Sequence, residues 1–315
     1  MSNSIPFIPG DALNQEVDWF ESFFGDNSIK IYQHSKLKKY LDNLRTVGNY
    51  ANGEGELPHN VDLNQYLQKI TVFSFMIRAI HMAHKTNFNS QLVSRLKLFT
   101  KSDVVHDDES QQSQPLDMIW ELIVGSIISD FCSDIRFEEP DIISTFNNVK
   151  WGIACKVIYS KDIAHLRNKI IEGVKQLEKS KANYGCVAIN INRLVDHSDY
   201  LKYNNREEGE ISYFPNSDFV IKSLVNSVES VINNLKSNPN FKKRIIYDEK
   251  NNSSRDKTRL ILLYAQIGTM VNKMPTLVTA PGFYNFRYKP KIYESEFWKK
   301  FNEVGKKLQD YTIAD

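Results

Sequence analysis

Cysteine is scarce in this chain. Cys132, Cys155 and Cys186 are the whole set among 315 residues. Three is an odd number, with neither the pairing of a disulfide framework nor the close spacing of zinc ligands. All three lie in apolar surroundings, which predicts buried free thiols and fits a reducing cytosol. Long apolar runs are missing too. None reaches the ~18 residues of a membrane-crossing helix, and the opening "MSNSIPFIPGDALNQE" lacks the apolar stretch of a secretory signal. A soluble, cytoplasmic protein with no membrane partner is expected. An excess of either charge is absent: 40 Lys+Arg against 38 Asp+Glu leave a net +2. That balance neither requires nor excludes a nucleic-acid partner, because local basic patches occur on near-neutral chains. The chain has no P-loop, no dinucleotide fingerprint, no G-x-S-x-G and no internal repeat, so nucleotide-binding and serine-hydrolase motifs of those kinds are excluded.

What is present suffices for a packed core. Apolar residues make up 41% and aromatics 12%, enough for one large domain or two small ones. Residues 12 to about 105 read as helices. The longest stretch, "NVDLNQYLQKITVFSFMIRAIHMAHK", repeats apolar residues three and four apart at Leu67, Ile70, Phe73, Met76, Ile77 and Ile80. It is too apolar to stand exposed, so these helices are expected to pack on the rest of the chain or on a second subunit. The polar stretch "HDDESQQSQ" at 106–114 reads as a boundary. It divides the chain into an N-terminal helical module, 1–112, for recognition, regulation or assembly, and a second domain, 113–315. In the second domain the pattern becomes an apolar helix, two strands, an amphipathic helix, a strand, a helix, a strand and a closing helix. That order indicates an α/β sheet covered by helices.

Four positions in the second domain stand out. Glu121 interrupts the apolar helix "SQPLDMIWELIVGSIISDF" and shares one stripe with Met118, Val124, Gly125 and Ile128; a carboxylate there needs a cation. Asp141 follows Pro140 at the start of an extended segment, where Pro-Asp is also ordinary turn chemistry. Lys156 lies in "VKWGIACKVIY"; a charged lysine in an apolar strand costs several kcal/mol without a partner. Alternation puts Ala154 beside Lys156 on one face, with Ile153, Cys155 and Val157 on the other. Gln176 follows Lys175 on the next helix.

A helix glutamate, Pro-Asp, a strand with (Asp/Glu)-X-Lys and a helix glutamine together form a pattern. Glu121, Pro140-Asp141, Ala154-Cys155-Lys156 and Lys175-Gln176 resemble the PD-(D/E)XK, or restriction-endonuclease-like, nuclease superfamily over roughly residues 115–200. The resemblance implies a mixed central sheet flanked by helices, and a Mg²⁺-dependent hydrolase of DNA phosphodiester bonds. Mn²⁺ is a substitute metal, and RNA remains open as substrate. It further implies a setting such as restriction or anti-phage defence, with a homo-oligomer or an activating protein as partner. The implied metal ligands are Asp141, the carboxylate expected at position 154, the Cys155 backbone carbonyl and Glu121. Lys156 is the implied catalytic cation, with Gln176 and Lys175 positioning phosphate or water.

One position departs from the pattern. Alanine stands at 154 where the family carries Glu or Asp. Either a carboxylate was replaced there to inactivate the enzyme, or the chain is a catalytically dead nucleic-acid-binding or scaffold protein on the same fold. On the first reading, Ala154→Glu restores cleavage. Three weaker signals remain. His81 and His84 are three apart on a helix without a third ligand nearby, and "HDD" at 106–108 reads as a solvated loop. Two basic stretches with aromatics, at 240–247 and 286–301, are candidates for a nucleic-acid groove.

Overall fold

The computed structural model describes residues 10–58, 63–86, 88–101, 114–195, 217–248, 253–254, 256–271, 274–284, 292–311 and 313. Five helices come first: α1 (Gly10–Asp26), α2 (Lys36–Ala51), α3 (Leu63–His84), α4 (Asn89–Lys101) and α5 (Gln114–Ile128). Strands β1 (Ser133–Arg136), β2 (Ile142–Phe146) and β3 (Val149–Val157) follow, then α6 (Ile163–Lys179) and β4 (Tyr184–Asn190). The chain continues through α7 (Ser217–Lys236), α8 (Pro239–Ile246), the short strands β5 (Tyr247–Asp248) and β6 (Ser253–Ser254), β7 (Thr258–Val271), β8 (Met274–Tyr284) and α9 (Ile292–Asp310). The fold is mixed α/β.

Six strands form one sheet in the order β1-β2-β3-β4-β7-β8. The central pairs β3–β4 and β4–β7 are parallel, while β1–β2, β2–β3 and β7–β8 are antiparallel. Local chemistry sets the β2–β3 hairpin. Asn147 and Asn148 both take positive φ, 49° and 61°, which a two-residue hairpin turn of the primed type demands and asparagine tolerates. The turn fixes Ile142 opposite Ile153.

The two faces of the sheet carry different layers, and the period-2 alternation of strand side chains sorts residues between them. Trp151, Ile153, Cys155, Cys186, Ala188, Leu260, Leu262 and Tyr264 face a large core built with α1 to α5 and α9. Ala154, Val187, Ile189, Ile261, Leu263 and Ala265 face a second core with α6, α7 and α8. The closing helix α9 stacks Phe297 on Trp151, ring centroids 4.5 Å apart.

The N-terminal helices therefore have no core of their own. Helix α3 packs on both α5 and β7, and Ile70, Phe73, Phe75, Met76, Ile77, Ala79, Ile80 and Ala83 are buried in the core that reaches the sheet. Its apolar character on several sides follows from having neighbours on several sides. The polar stretch at 106–114 separates no second core, and positions 106–113 lie outside the described residues. Among the described residues, no helix is long and apolar enough to cross a membrane. A polar pair also bridges the N-terminal helices. Arg78 Nε on α3 donates to Glu16 Oε1 on α1 at 2.5 Å, with both side chains 1% exposed.

His81 is buried nearby, with its Nδ1 at 2.5 Å from the Tyr311 hydroxyl. Burial, with His84 and Lys85 close by, holds its pKa down to about 4. It and His84 pack against Trp19, and among the described residues no group of three or more His, Cys, Asp or Glu is arranged to hold a metal.

Candidate functional site

β3 outruns β2, and the site lies where it does. The β2–β3 ladder ends at Ile142 opposite Ile153. Beyond it, the edge of β3 has backbone groups with no strand to pair. The Asp141 side chain takes the first of them: Cys155 N–H donates to Asp141 Oδ2 at 2.7 Å. Lys156 Nζ donates to the same oxygen at 3.0 Å and to the Cys155 carbonyl at 2.8 Å. The buried-edge lysine therefore has its anion, and the anion comes from Pro140-Asp141.

A pocket of about 230 Å³ opens at this edge. Cys155, Lys156 and Val157 line it from β3, Asp141 from just before β2, Tyr159 from just after β3, Asp117 and Glu121 from α5, and Lys169, Glu172 and Gln176 from α6. The two helices pack on opposite faces of the sheet, so the pocket wraps around the end of β3. Glu121, Asp141, Lys156 and Gln176 all line this one pocket. Gln176 Nε2 donates to the Pro140 carbonyl at 3.3 Å, which ties α6 to the segment carrying Asp141. Its Oε1 is buried with no partner. Lys175 is exposed on α6 and lies outside the lining.

Ala154 is the exception. It is fully buried on the α6 face and is not part of the lining. Its methyl group lies under Gly173: a Cβ on Gly173 would meet Val187 Cγ1 at 2.6 Å and the Ala154 Cβ at 3.3 Å. Two small residues thus let α6 approach the sheet closely, and that approach brings Lys169, Glu172 and Gln176 to the pocket. Gly173→Ala tests this. Helix propensity favours alanine by roughly 1 kcal/mol, but overpacking against Val187 typically costs about 1–3 kcal/mol. The expected result is a net loss of stability in urea unfolding.

Burial and charge act together on the acids. Desolvation pushes the Glu121 carboxyl up to about 7, opposed by Arg95, with Asp141 and Asp117 adding to the rise. Burial also raises Asp141, while the Lys156 ammonium and the Cys155 N–H hold it down. The Cys155 thiol is pushed well above its ordinary value, first by burial and then by the nearby carboxylates. Cys132 is pushed up to about 12 by burial; all three cysteines are free, but against the expectation of three buried thiols only Cys155 and Cys186 are buried and Cys132 is half-buried. These are inert structural thiols.

Several groups in and behind the pocket were not visible in the sequence. Tyr159 donates its hydroxyl to Asp117 Oδ1 at 2.9 Å. Lys169 and Glu172 form an i,i+3 pair at 2.9 Å on the rim. Arg95, on α4, pairs with Glu121 Oε2 and places its guanidinium 5.3 Å from the centre of the Phe137 ring. The only advance signal for Arg95 was the requirement that Glu121 find a cation.

Of the basic stretches, 240–247 runs along α8 and ends at the start of β5, with Phe241 and Ile245 buried and Lys242, Lys243 and Arg244 exposed. In 286–301, the first six residues lie outside the described ones and the remainder enters α9.

The donor chemistry suits a hard cation, which prefers carboxylate and carbonyl oxygens. One observation tests that fit. The Lys156 ammonium already sits within hydrogen-bonding distance of both the Asp141 carboxylate and the Cys155 carbonyl, so those two oxygens converge on a single cation position. Compared with family models, with curated proteins and with solved structures, the chain gives no match.

Proposed function

We propose that the protein is a metal-dependent phosphodiesterase acting on nucleic acid, on a restriction-endonuclease-like variant of the α/β fold. The observation that carries this reading is the convergence of Asp141 Oδ2 and the Cys155 carbonyl on the Lys156 ammonium, with the Glu121 carboxylate in the same pocket. Asp141, the Cys155 carbonyl and Glu121 would hold Mg²⁺ or Mn²⁺. Such a cation lowers the pKa of water and offsets charge on phosphoryl oxygens. Lys156 would then turn from its two oxygens toward the attacking water or the phosphate, where its charge stabilises the transition state. Gln176 holds the Pro140–Asp141 segment in place through its bond to the Pro140 carbonyl. Lys169 at the rim adds positive charge for a phosphate backbone. DNA is the proposed substrate class, with RNA as an arm of the test.

The packing of Ala154 against Gly173 and Val187 favours position 154 as a packing site. The negative charge of the pocket is then carried by Asp117, Glu121, Asp141 and Glu172. A second reading, a catalytically dead nucleic-acid-binding or scaffold protein, draws on a different observation. Among the described residues, no group of three or more His, Cys, Asp or Glu is gathered to hold a metal.

One experiment separates the readings. The chain as it stands, Lys156→Ala and Ala154→Glu are each incubated with supercoiled DNA, linear DNA and RNA, in Mg²⁺, Mn²⁺ or EDTA. Cleavage by the unaltered chain that EDTA and Lys156→Ala both remove is the expected result. Cleavage only by Ala154→Glu makes the unaltered chain an inactive variant. Binding without cleavage by all three favours the second reading, and cleavage that survives Lys156→Ala puts the activity outside this pocket.

A further inference from the structure

Each of the three proposed metal ligands, Asp141, the Cys155 carbonyl and Glu121, is already held by one of the protein's own cations. Lys156 takes the Asp141 carboxylate and the Cys155 carbonyl. Glu121 is taken by Arg95. The two cations differ in origin. Lys156 belongs to the same strand as the site, whereas Arg95 comes from α4, with all of α5 between it and the nearest strand in sequence.

Helix α4 is built to deliver it. Leu92, Leu96 and Phe99 are buried and pin the helix to the core at spacings of four and three. Arg95 flanks that stripe and is aimed at α5. Its side chain is 24% exposed, against 11% for Glu121, and Phe137 backs the guanidinium. The Arg95 Nε is buried with no hydrogen-bond partner. A fully matched structural pair would use that donor. Arg95 instead grips Glu121 by one terminal nitrogen and leaves its Nε unpaired.

Resting on the reading of the pocket as a cation site, we propose that Arg95 is a positioning residue that competes with the divalent metal for Glu121. The helix α4 thereby sets how readily the site loads. In the metal-free protein Arg95 neutralises Glu121 and keeps it at the pocket wall. When a metal binds, Glu121 exchanges the guanidinium for the divalent cation. The groups facing Glu121 are Arg95 from α4, Asp117 on its own helix, Asp141 beside the start of β2, and Lys156 of β3. Arg95 and Lys156 are the cations in that set, and both oppose a second positive charge. Anything that moves α4, a partner protein or a nucleic-acid strand, then changes metal affinity through one side chain. By reciprocity, metal binding loosens the hold of α4 on α5.

The test measures Mn²⁺ binding by the full chain, by calorimetry and by the electron paramagnetic resonance of free Mn²⁺. The variants are Arg95→Met, Arg95→Lys, Glu121→Gln, the double variant Arg95→Met with Glu121→Gln, and Asp141→Asn. Methionine keeps the stem that packs near Phe137 and removes the charge. The expected result is Mn²⁺ affinity at least about tenfold tighter in Arg95→Met, because a full opposing charge leaves contact distance of a ligand. Arg95→Lys should stay within about threefold of the parent, since the charge is retained. Most of the gain should vanish in the double variant, because Arg95 acts through Glu121. Unfolding temperature supplies an independent readout. Arg95→Met alone should be less stable, and Mn²⁺ should raise its unfolding temperature by more than it raises the parent's, as linkage requires. A purely structural Arg95 would lower stability without changing Mn²⁺ affinity, and that outcome overturns the inference. Unchanged or weaker binding in Arg95→Met, with Asp141→Asn still defective, rejects the role of Arg95 and leaves the site standing. Mn²⁺ binding that Asp141→Asn does not impair rejects the site itself.

Discussion

On the proposed phosphodiesterase reading, Asp141→Asn is expected to abolish cleavage, lowering the rate by on the order of a thousandfold or more, while the protein stays folded. Three bonds at β3 set the effect. One carboxylate oxygen accepts from the Cys155 amide at 2.7 Å and from Lys156 at 3.0 Å. An asparagine oxygen keeps the acceptor geometry and loses the charge. The strand-edge bond to Cys155 survives in weaker form, because hydrogen bonds to charged groups are the stronger kind. Lys156 loses its counter-ion, though it retains the Cys155 carbonyl at 2.8 Å. The stability loss should therefore be about 1.5–3 kcal/mol, the range for hydrogen bonds to ionised partners. Catalysis suffers far more. A carboxylate that holds a cation stabilises charge developing in the transition state, and several kcal/mol there is several powers of ten in rate. The measurement is a single-turnover cleavage assay at saturating Mg²⁺, run with a urea unfolding curve on the same preparation. On the binding-protein reading the result differs. Removing a negative charge from a phosphate path should then tighten nucleic-acid binding, with no cleavage to lose. An Asp141→Asn protein that cuts at the parent rate would remove Asp141 from the chemistry.

The core of this site was legible in the sequence, for a physical reason. A lysine in an apolar strand must meet an anion, and Pro-Asp lies just before the strand that pairs with it in a hairpin. Both facts are local. Strand alternation placed Ile153 and Cys155 on one face and Ala154 on the other, as the two cores confirm. Glu121 also announced itself, because a carboxylate on an apolar helix stripe requires a cation. Its partner did not. Arg95 is 26 residues earlier, on a helix with no sequence link to the sheet, and only tertiary packing brings the two together. Glu172 and Lys169 are ordinary helix-surface residues by pattern, and the close seat of α6 over Ala154 and Gly173 makes them pocket residues.

Two features of the fold were hidden for other reasons. β8 carries Pro275, Pro281 and Gly282 within "MPTLVTAPGFY", a composition that argues against a central strand. It is an edge strand of the sheet, where proline is tolerated because its missing N–H faces no partner. The polar stretch after residue 105 imitates a domain boundary. Hydrophilic connections mark loops, and a loop divides domains only when few contacts cross it. Here α3 crosses it to reach both α5 and β7.

That crossing makes Arg78→Met the substitution with the largest expected effect on stability. Arg78 and Glu16 are each 1% exposed in their side chains and bonded at 2.5 Å. Removing one partner of a buried pair leaves an uncompensated charge, which typically costs about 3–5 kcal/mol. Adding Glu16→Gln should restore much of the loss, because no buried charge then remains. The pH dependence has a definite sign. Burial raises the Glu16 carboxyl above its ordinary 4.5, and Arg78 opposes that rise. Without Arg78 the carboxyl rises further. A carboxyl that is raised in the folded state makes the protein less stable as pH climbs from its unfolded value through its folded one. The deficit of Arg78→Met relative to the parent should therefore be greatest at alkaline pH and shrink as pH falls toward the ordinary carboxyl value of 4.5. A deficit that grows toward acid pH would place the cause elsewhere, in lost packing of the arginine stem. The form of the transition carries the second part of the test. With one core running from α1 to the sheet, tryptophan fluorescence should report a single transition that moves as a whole, since Trp19 lies on α1 while Trp120 and Trp151 lie at the sheet. An early, separate melting of the α1 signal, with Trp120 and Trp151 unmoved, would mean that the N-terminal helices fold as a unit of their own.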